Sequence, residues 1–136
     1  MSRKPPPIKL RQQTASENDI EASCLNVVRM RGYFPIRLHA GRFWTMDKKR
    51  VITGVPKGTP DYVCVHPKFR GFMLETKREI GGALSDNQHT QIRNLRLGWR
   101  LAVCVTNDPH ELSKWINQHE ADHGLQVSAK IGPLKF

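Results

Sequence analysis

The 136-residue chain is short of acid: 12 Asp and Glu stand against 22 Lys and Arg, a formal net charge of +10. A polyanion is the natural partner of such a surface, and nucleic acid is the commonest polyanion. A well-solvated basic surface with no such partner is the competing reading. Long apolar runs are missing as well. No stretch suits a bilayer span, so no membrane association is expected. The Lys and Arg near the N-terminus are not followed by an apolar segment, so no secretion signal is expected and the reading is a cytoplasmic protein. Cysteine is sparse: Cys24, Cys64 and Cys104 each sit among apolar residues, and none forms a Cys-x-x-Cys pair. They read as small buried hydrophobes in a reducing compartment, and a zinc site built on them is not expected. There is no internal repeat. The length suits one compact domain, and 38% hydrophobic residues allow a core without disulfides.

Residues 1–13 hold Arg3, Lys4, Lys9 and Arg11, the run Pro5-Pro6-Pro7 and no acid. This reads as a basic, proline-rich, extended arm. A folded domain is expected over residues 14–124, with 125–136 a tail or an edge strand. Thr14 and Ser16 are candidate caps for a first helix, in which Ile20, Cys24, Val27 and Val28 recur at helical spacing. Gly32 ends it. Tyr33 to His39 reads as a strand, Arg42 to Thr53 as a basic, aromatic hairpin around Asp47-Lys48-Lys49, and Gly54 to Pro60 as a rigid loop. Asp61 to His66 and Gly71 to Lys77 read as two strands with apolar residues on both faces, hence central in a sheet. Ser85, with Gln88 three residues on, forms a capping-box signature for a second helix running to Leu97 or Gly98. Leu101 to Thr106 reads as a strand. Asn107 or Asp108 caps a third helix with Pro109 in its first turn, closed by Gly124. The expected fold is α/β: a mixed central sheet flanked by helices, in α-β-β-β-α-β-α order.

Chemistry concentrates in one place. If the turn between the two central strands centres near Lys68, Asp61 and Glu75 face each other across an antiparallel pair. Lys77 then shares the face of Glu75, because side chains alternate along a strand. Two close carboxylates repel unless a cation joins them. A hard divalent ion does so through oxygen ligands, polarises a phosphodiester and acidifies a coordinated water. A lysine there can orient or deprotonate that water or neutralise developing charge. The plainer alternative is a surface salt-bridge cluster. Against it, Glu75 follows Phe72-Met73-Leu74 and Asp61 precedes Tyr62-Val63-Cys64-Val65, apolar runs in which a charge needs a reason.

Gly58-Thr59-Pro60-Asp61 followed by Glu75-Thr76-Lys77 resembles the PD-(D/E)XK signature of restriction-type nucleases. Ser16-Glu17 at a helix head, the Gly54-Val55-Pro56 loop, and Leu84-Ser85 followed by Gln88 are similar to the VRR-NUC branch. The resemblance covers residues 16–117. It implies a restriction-endonuclease-like core and Mg²⁺ or Mn²⁺ held by Asp61, Glu75 and the backbone carbonyl of Thr76. It also implies Lys77 as the catalytic lysine and a first-helix glutamate completing the site. Glu17 and Glu21 both qualify. Glu17 is preferred because it lies nearer the middle of the Ile20, Cys24, Val28 face and matches the family position, with metal contact direct or through water. Its plainer role is a favourable charge in a helix's first turn. Gln88 matches a glutamine near the family's site, and its capping role is the equal alternative; Gln91 is a lesser candidate. The implied activity is metal-dependent endonucleolytic cleavage of DNA, branched, flapped or junction DNA included, by a homodimer.

Arg37, Arg42, Lys48, Lys49, Arg50, Lys57 and Arg78 are the candidate DNA-binding cations. Phe43 and Trp44 are interleaved as stacking residues, or, for Trp44 especially, as core or dimer interface. Arg93, Arg96 and Arg100 extend the positive surface. His119-Glu120-Ala121-Asp122-His123 matches the His-Glu-x-x-His zinc-protease pattern, but its place at the end of a short polar helix reads as a solvated helix terminus. Two readings therefore compete with the nuclease: a non-catalytic basic nucleic-acid-binding module on the same scaffold, and a zinc hydrolase using His119 and His123.

Overall fold

The computed structural model describes residues 16–77 and 83–123. The basic arm, Arg78, the closure at Gly124 and the C-terminal tail lie outside them. Helix α1 (Glu17–Met30) starts where expected. Ser16 caps it and forms a reciprocal capping box with Asp19, and Ile20, Cys24 and Val28 form its buried stripe. Gly32, at φ +84°, makes the turn that a residue with a Cβ adopts at a cost. It leads into β1 (Phe34–Arg37). A hairpin follows, β2 (Arg42–Trp44) and β3 (Val51–Thr53). Then come β4 (Tyr62–Val65), β5 (Phe72–Thr76), α2 (Asp86–Leu97), β6 (Val103–Thr106) and α3 (Pro109–His123).

The main sheet has the order β1-β4-β5-β6, while β2 and β3 pair only with each other. β1 with β4 and β4 with β5 are antiparallel, and β5 with β6 is parallel. A parallel pair needs a long crossover, and α2 lies in it. The fold is therefore mixed α/β, with a mixed four-stranded sheet and helices against it. Setting the inserted hairpin aside, the elements follow the sequence α1, β1, β4, β5, α2, β6, α3.

β4 and β5 are the inner strands, which explains why both their faces are apolar; β5 is buried at every position. On one face Tyr62, Cys64, Phe72 and Leu74 pack with Ile20, Cys24 and Val28 of α1 and Leu112 and Ile116 of α3. On the other, Met73 and Val103 pack with Ile92 of α2. Fully burying a side chain such as Leu74 or Leu112 contributes ~1.5–3 kcal/mol relative to exposure. All three cysteines belong to the first core. Burial pushes the Cys24 thiol up to about 11 and those of Cys64 and Cys104 to about 12, so they stay protonated and inert.

All four strands of the main sheet are shorter than the sequence suggests: β4 and β5 by one residue at each end, β1 by three residues and β6 by two. β1 stops at Arg37 because, after Leu38 donates to the carbonyl of Asp61 at 2.7 Å, the chain turns away into the hairpin. β6 starts at Val103 because the Leu101 amide bonds back to the carbonyl of Leu95 at 3.0 Å, with Arg100 at φ +54°. Trp44, one reading of which was core, is 68% exposed.

Candidate active site

The β4–β5 register pairs Tyr62 with Leu74, Val63 with Met73 and Cys64 with Phe72. One further step places Asp61 opposite Glu75, as a turn centred on Lys68 requires. The backbone N–H of Asp61 donates to Glu75 Oε2 at 3.0 Å. Glu75 is only 2% exposed. Its Oε1 accepts from Gln88 Nε2 at 2.7 Å and is ion-paired with Lys77 Nζ at 3.1 Å. Lys77 Nζ also donates to Gln88 Oε1 at 3.0 Å. Glu75, Lys77 and Gln88 thus form a closed triangle at the end of β5.

Gln88 is held by a second set of bonds. Its Oε1 accepts from the Ser85 N–H at 3.0 Å, and its own N–H donates to Ser85 Oγ at 3.2 Å. The capping role and the site role coexist in one side chain. The N-terminal turn of α2 is therefore tied to the end of β5. The loop before Asp61 reaches the same turn: Gly58, at φ +88°, lies so close that a Cβ there would sit 2.5 Å from the carbonyl oxygen of Asn87. Thr76, between Glu75 and Lys77, is fully buried with an unpartnered hydroxyl. Gln91 is half-buried one turn along α2.

Burial raises the Glu75 carboxyl above its ordinary value, the charge of Asp61 adds to that, and Lys77 opposes it. Burial also raises the Asp61 carboxyl, with repulsion from Glu21 next, partly offset by attraction to Arg37 and Lys77. Burial is thus the main cost of ionising both acids, and neighbouring acids add to it beyond what Lys77 and Arg37 offset. That is the condition a hard divalent cation relieves. Among the described residues no three His, Cys, Asp or Glu side chains gather into a ligand set. The side chains offer two carboxylates, so carbonyl, water or substrate oxygens must supply the rest of an oxygen shell.

Of the two first-helix glutamates, Glu21 stands nearer. Its Oε1 accepts from Tyr62 Oη at 2.5 Å and pairs with Arg37 Nη1 at 2.8 Å. Arg37 Nη1 also donates to Tyr62 Oη at 3.0 Å. Glu17 is exposed in the first turn and is the weakest of the charges acting on Asp61. A helical wheel measures angle around the axis. It does not show that Glu17 lies about 6 Å further along it, at ~1.5 Å per residue. The signal for Glu21 was its place beside Ile20, level with the Arg37–Tyr62 pair.

Arg37 is thus engaged with an acid. Arg42 lies on β2, and Lys48, Lys49 and Arg50 cluster exposed at the hairpin turn. Lys57 is exposed in the loop leading to Asp61. His119 departs from the solvated helix end read from sequence. It is 4% exposed, its Nε2 lies 2.7 Å from the carbonyl oxygen of Arg70, and its ring stacks on Trp115. Leu112, Ile116 and His119 follow one buried stripe, and that spacing was the available signal. Glu120 accepts from Tyr33 Oη at 2.9 Å, so two residues of the zinc-like pattern serve the core. Among the described residues no helix is long and apolar enough to cross a membrane.

A scan against protein-family models gives no match, and neither the curated proteins nor the solved structures searched contain a significant relative of this chain.

Proposed function

We propose that this chain is a metal-dependent endonuclease of the VRR-NUC type, hydrolysing phosphodiester bonds of DNA, branched or flapped DNA included. The observation that carries the reading is the buried Glu75, opposite Asp61 and tied to Lys77 through Gln88. The element order around the main sheet supports a restriction-endonuclease-like core in the same proposal. Asp61, Glu75 and the Thr76 carbonyl are the groups that would hold Mg²⁺ or Mn²⁺, with water or substrate oxygens filling the shell and Glu17 or Glu21 reaching it through water. Such an ion, when bound, polarises the phosphodiester and acidifies a water.

The chain's own residues do the rest. Gln88 Oε1 and Glu75 Oε1 fix Lys77 Nζ in place, so the lysine can orient the attacking water and stabilise charge developing on the phosphate. The backbone N–H of Ser85 fixes the Gln88 amide in turn. The cations at the hairpin turn and Lys57 hold the DNA backbone. A homodimer belongs to the proposal. Phe34, Ile36 and Val65, apolar and exposed on the β1 side of the sheet, are the surface it would bury, and sedimentation tests it.

Asp61→Ala tests the reading: it should abolish metal-dependent cleavage while leaving DNA binding within a few-fold. One observation favours a second reading, a basic binding module without catalysis. The oxygens of Glu75 already accept from three donors. That reading predicts salt-sensitive binding indifferent to Asp61→Ala and Glu75→Ala, and no cleavage.

A further inference from the structure

The β2–β3 hairpin pairs only with itself. A two-stranded ribbon is marginal in water, yet this one carries apolar side chains on both faces. Trp44 stands opposite Val51, and Phe43 opposite Ile52. All four are exposed, and Met46 at the turn is completely so. The root is fixed: Gly54 N donates to Gly41 O at 2.8 Å and Val55 N to His39 O at 2.9 Å, while a Cβ on Gly54 would collide with the His39 carbonyl. The root also adjoins the candidate active site. The last β1–β4 pair is Arg37 with Tyr62, so the hairpin rises from the end of the sheet that presents Asp61. From Arg42 to Met46 it reaches about 13 Å at ~3.3 Å per residue, roughly four base steps of ~3.4 Å.

Charge selects what covers this ribbon. Arg42, Lys48, Lys49 and Arg50 face a single acid, Asp47, whose carboxylate is taken up by Thr45 Oγ1 and the Lys49 N–H. A second copy would bring the same cations against these. Residues 1–13 carry four cations and no acid, so they do not complement it either. A nucleic acid does. Ribbons that read duplex grooves need polar side chains for base edges. Here the central positions are aromatic or aliphatic, which suits base faces, and base faces are free only where bases are unpaired.

We propose that the hairpin is a stacking platform for unpaired DNA bases beside the active site. Trp44, with Val51 and Met46, takes the base faces, and Lys48, Lys49 and Arg50 hold the adjoining phosphates. This rests on the DNA-directed reading of the site but needs no cleavage. The platform selects DNA with a single-stranded branch or flap and sets the cut within a few nucleotides of the junction.

The test is fluorescence anisotropy in EDTA with a single strand, a flap and a blunt duplex, on the full chain and on Trp44→Ala and Trp44→Phe. Trp44→Ala should weaken single-strand and flap binding about ten-fold, the effect of losing ~1.4 kcal/mol of stacking, and leave duplex binding within two-fold. Trp44→Phe should retain most of the affinity. Equal losses on duplex and flap, or no loss on any DNA, overturn the proposal. So does a wild-type oligomer that Trp44→Ala dissociates in sedimentation, which would assign the ribbon to a second copy. Failure here with Lys77-dependent cleavage intact sinks only the platform. Absence of any DNA binding sinks the nuclease reading with it.

Discussion

Replacing Gln88 by alanine separates a helix cap from a site residue, because the side chain is both. Gln88→Ala removes the bond to the Ser85 N–H, the donation to Glu75 Oε1 at 2.7 Å and the acceptor for Lys77 Nζ at 3.0 Å. The cap contributes ~1 kcal/mol. A hydrogen bond to a charged group contributes ~1.5–3 kcal/mol, and more is lost when a buried acceptor stays unsatisfied. Glu75 keeps two donors and Gln88 is half-exposed, so water recovers part of the loss; the expected destabilisation is ~2–3 kcal/mol. Ser85→Ala removes only the acceptor for the Gln88 N–H and should cost ~1 kcal/mol. Urea unfolding measures both. In cleavage assays Ser85→Ala should keep kcat within about two-fold. Gln88→Ala should lower it about ten-fold or more, since a lysine with one anchor gone spends less time aligned, and ~1.4 kcal/mol is ten-fold. If Gln88→Ala were no more destabilising than Ser85→Ala, or left kcat untouched, the triangle would be a cap and nothing further.

Leu74→Ala, at the fully buried centre of β5, should destabilise by ~3 kcal/mol through cavity formation, read by chemical denaturation. Burial holds the His119 pKa below its ordinary 6.5, so the unfolded chain takes up a proton first as pH falls. Stability should be full above about pH 6.5 and decline below it by up to ~1.4 kcal/mol per pH unit, and His119→Leu should flatten that slope in pH-dependent melts. The raised carboxyls of Asp61 and Glu75 have the opposite sign. The metal-free fold should lose stability as pH rises from the ordinary carboxylate range through their raised values. Added Mg²⁺ should restore it, and calorimetric metal affinity should fall as pH drops through that window.

Much of this was legible in the residues. The candidate cap at Ser16 and the capping box at Ser85 mark helix starts because they involve only neighbours in sequence. The Asp61–Glu75 pairing followed from the length of the Pro67–Arg70 turn, since an antiparallel register is fixed by its turn. What stayed hidden depends on position along an axis or on partners far away in the chain. Glu21 rather than Glu17 meets Tyr62 and Arg37 because one helical turn decides which glutamate is level with the sheet's end. His119 reads as polar, yet a carbonyl 49 residues away allows it to be buried. The Arg37–Glu21 pair joins residues 16 apart, so the acid beside this cation could not be read from its own stretch of sequence.

The central claim is best tested by cleavage of labelled duplex, flap and four-way DNA with Mg²⁺, Mn²⁺ or EDTA, using the wild type beside Lys77→Ala. The account predicts cutting that needs both the metal and Lys77, strongest on substrates with unpaired bases. Salt-sensitive binding with no cutting under any metal, or cutting that survives Lys77→Ala unchanged, would contradict it.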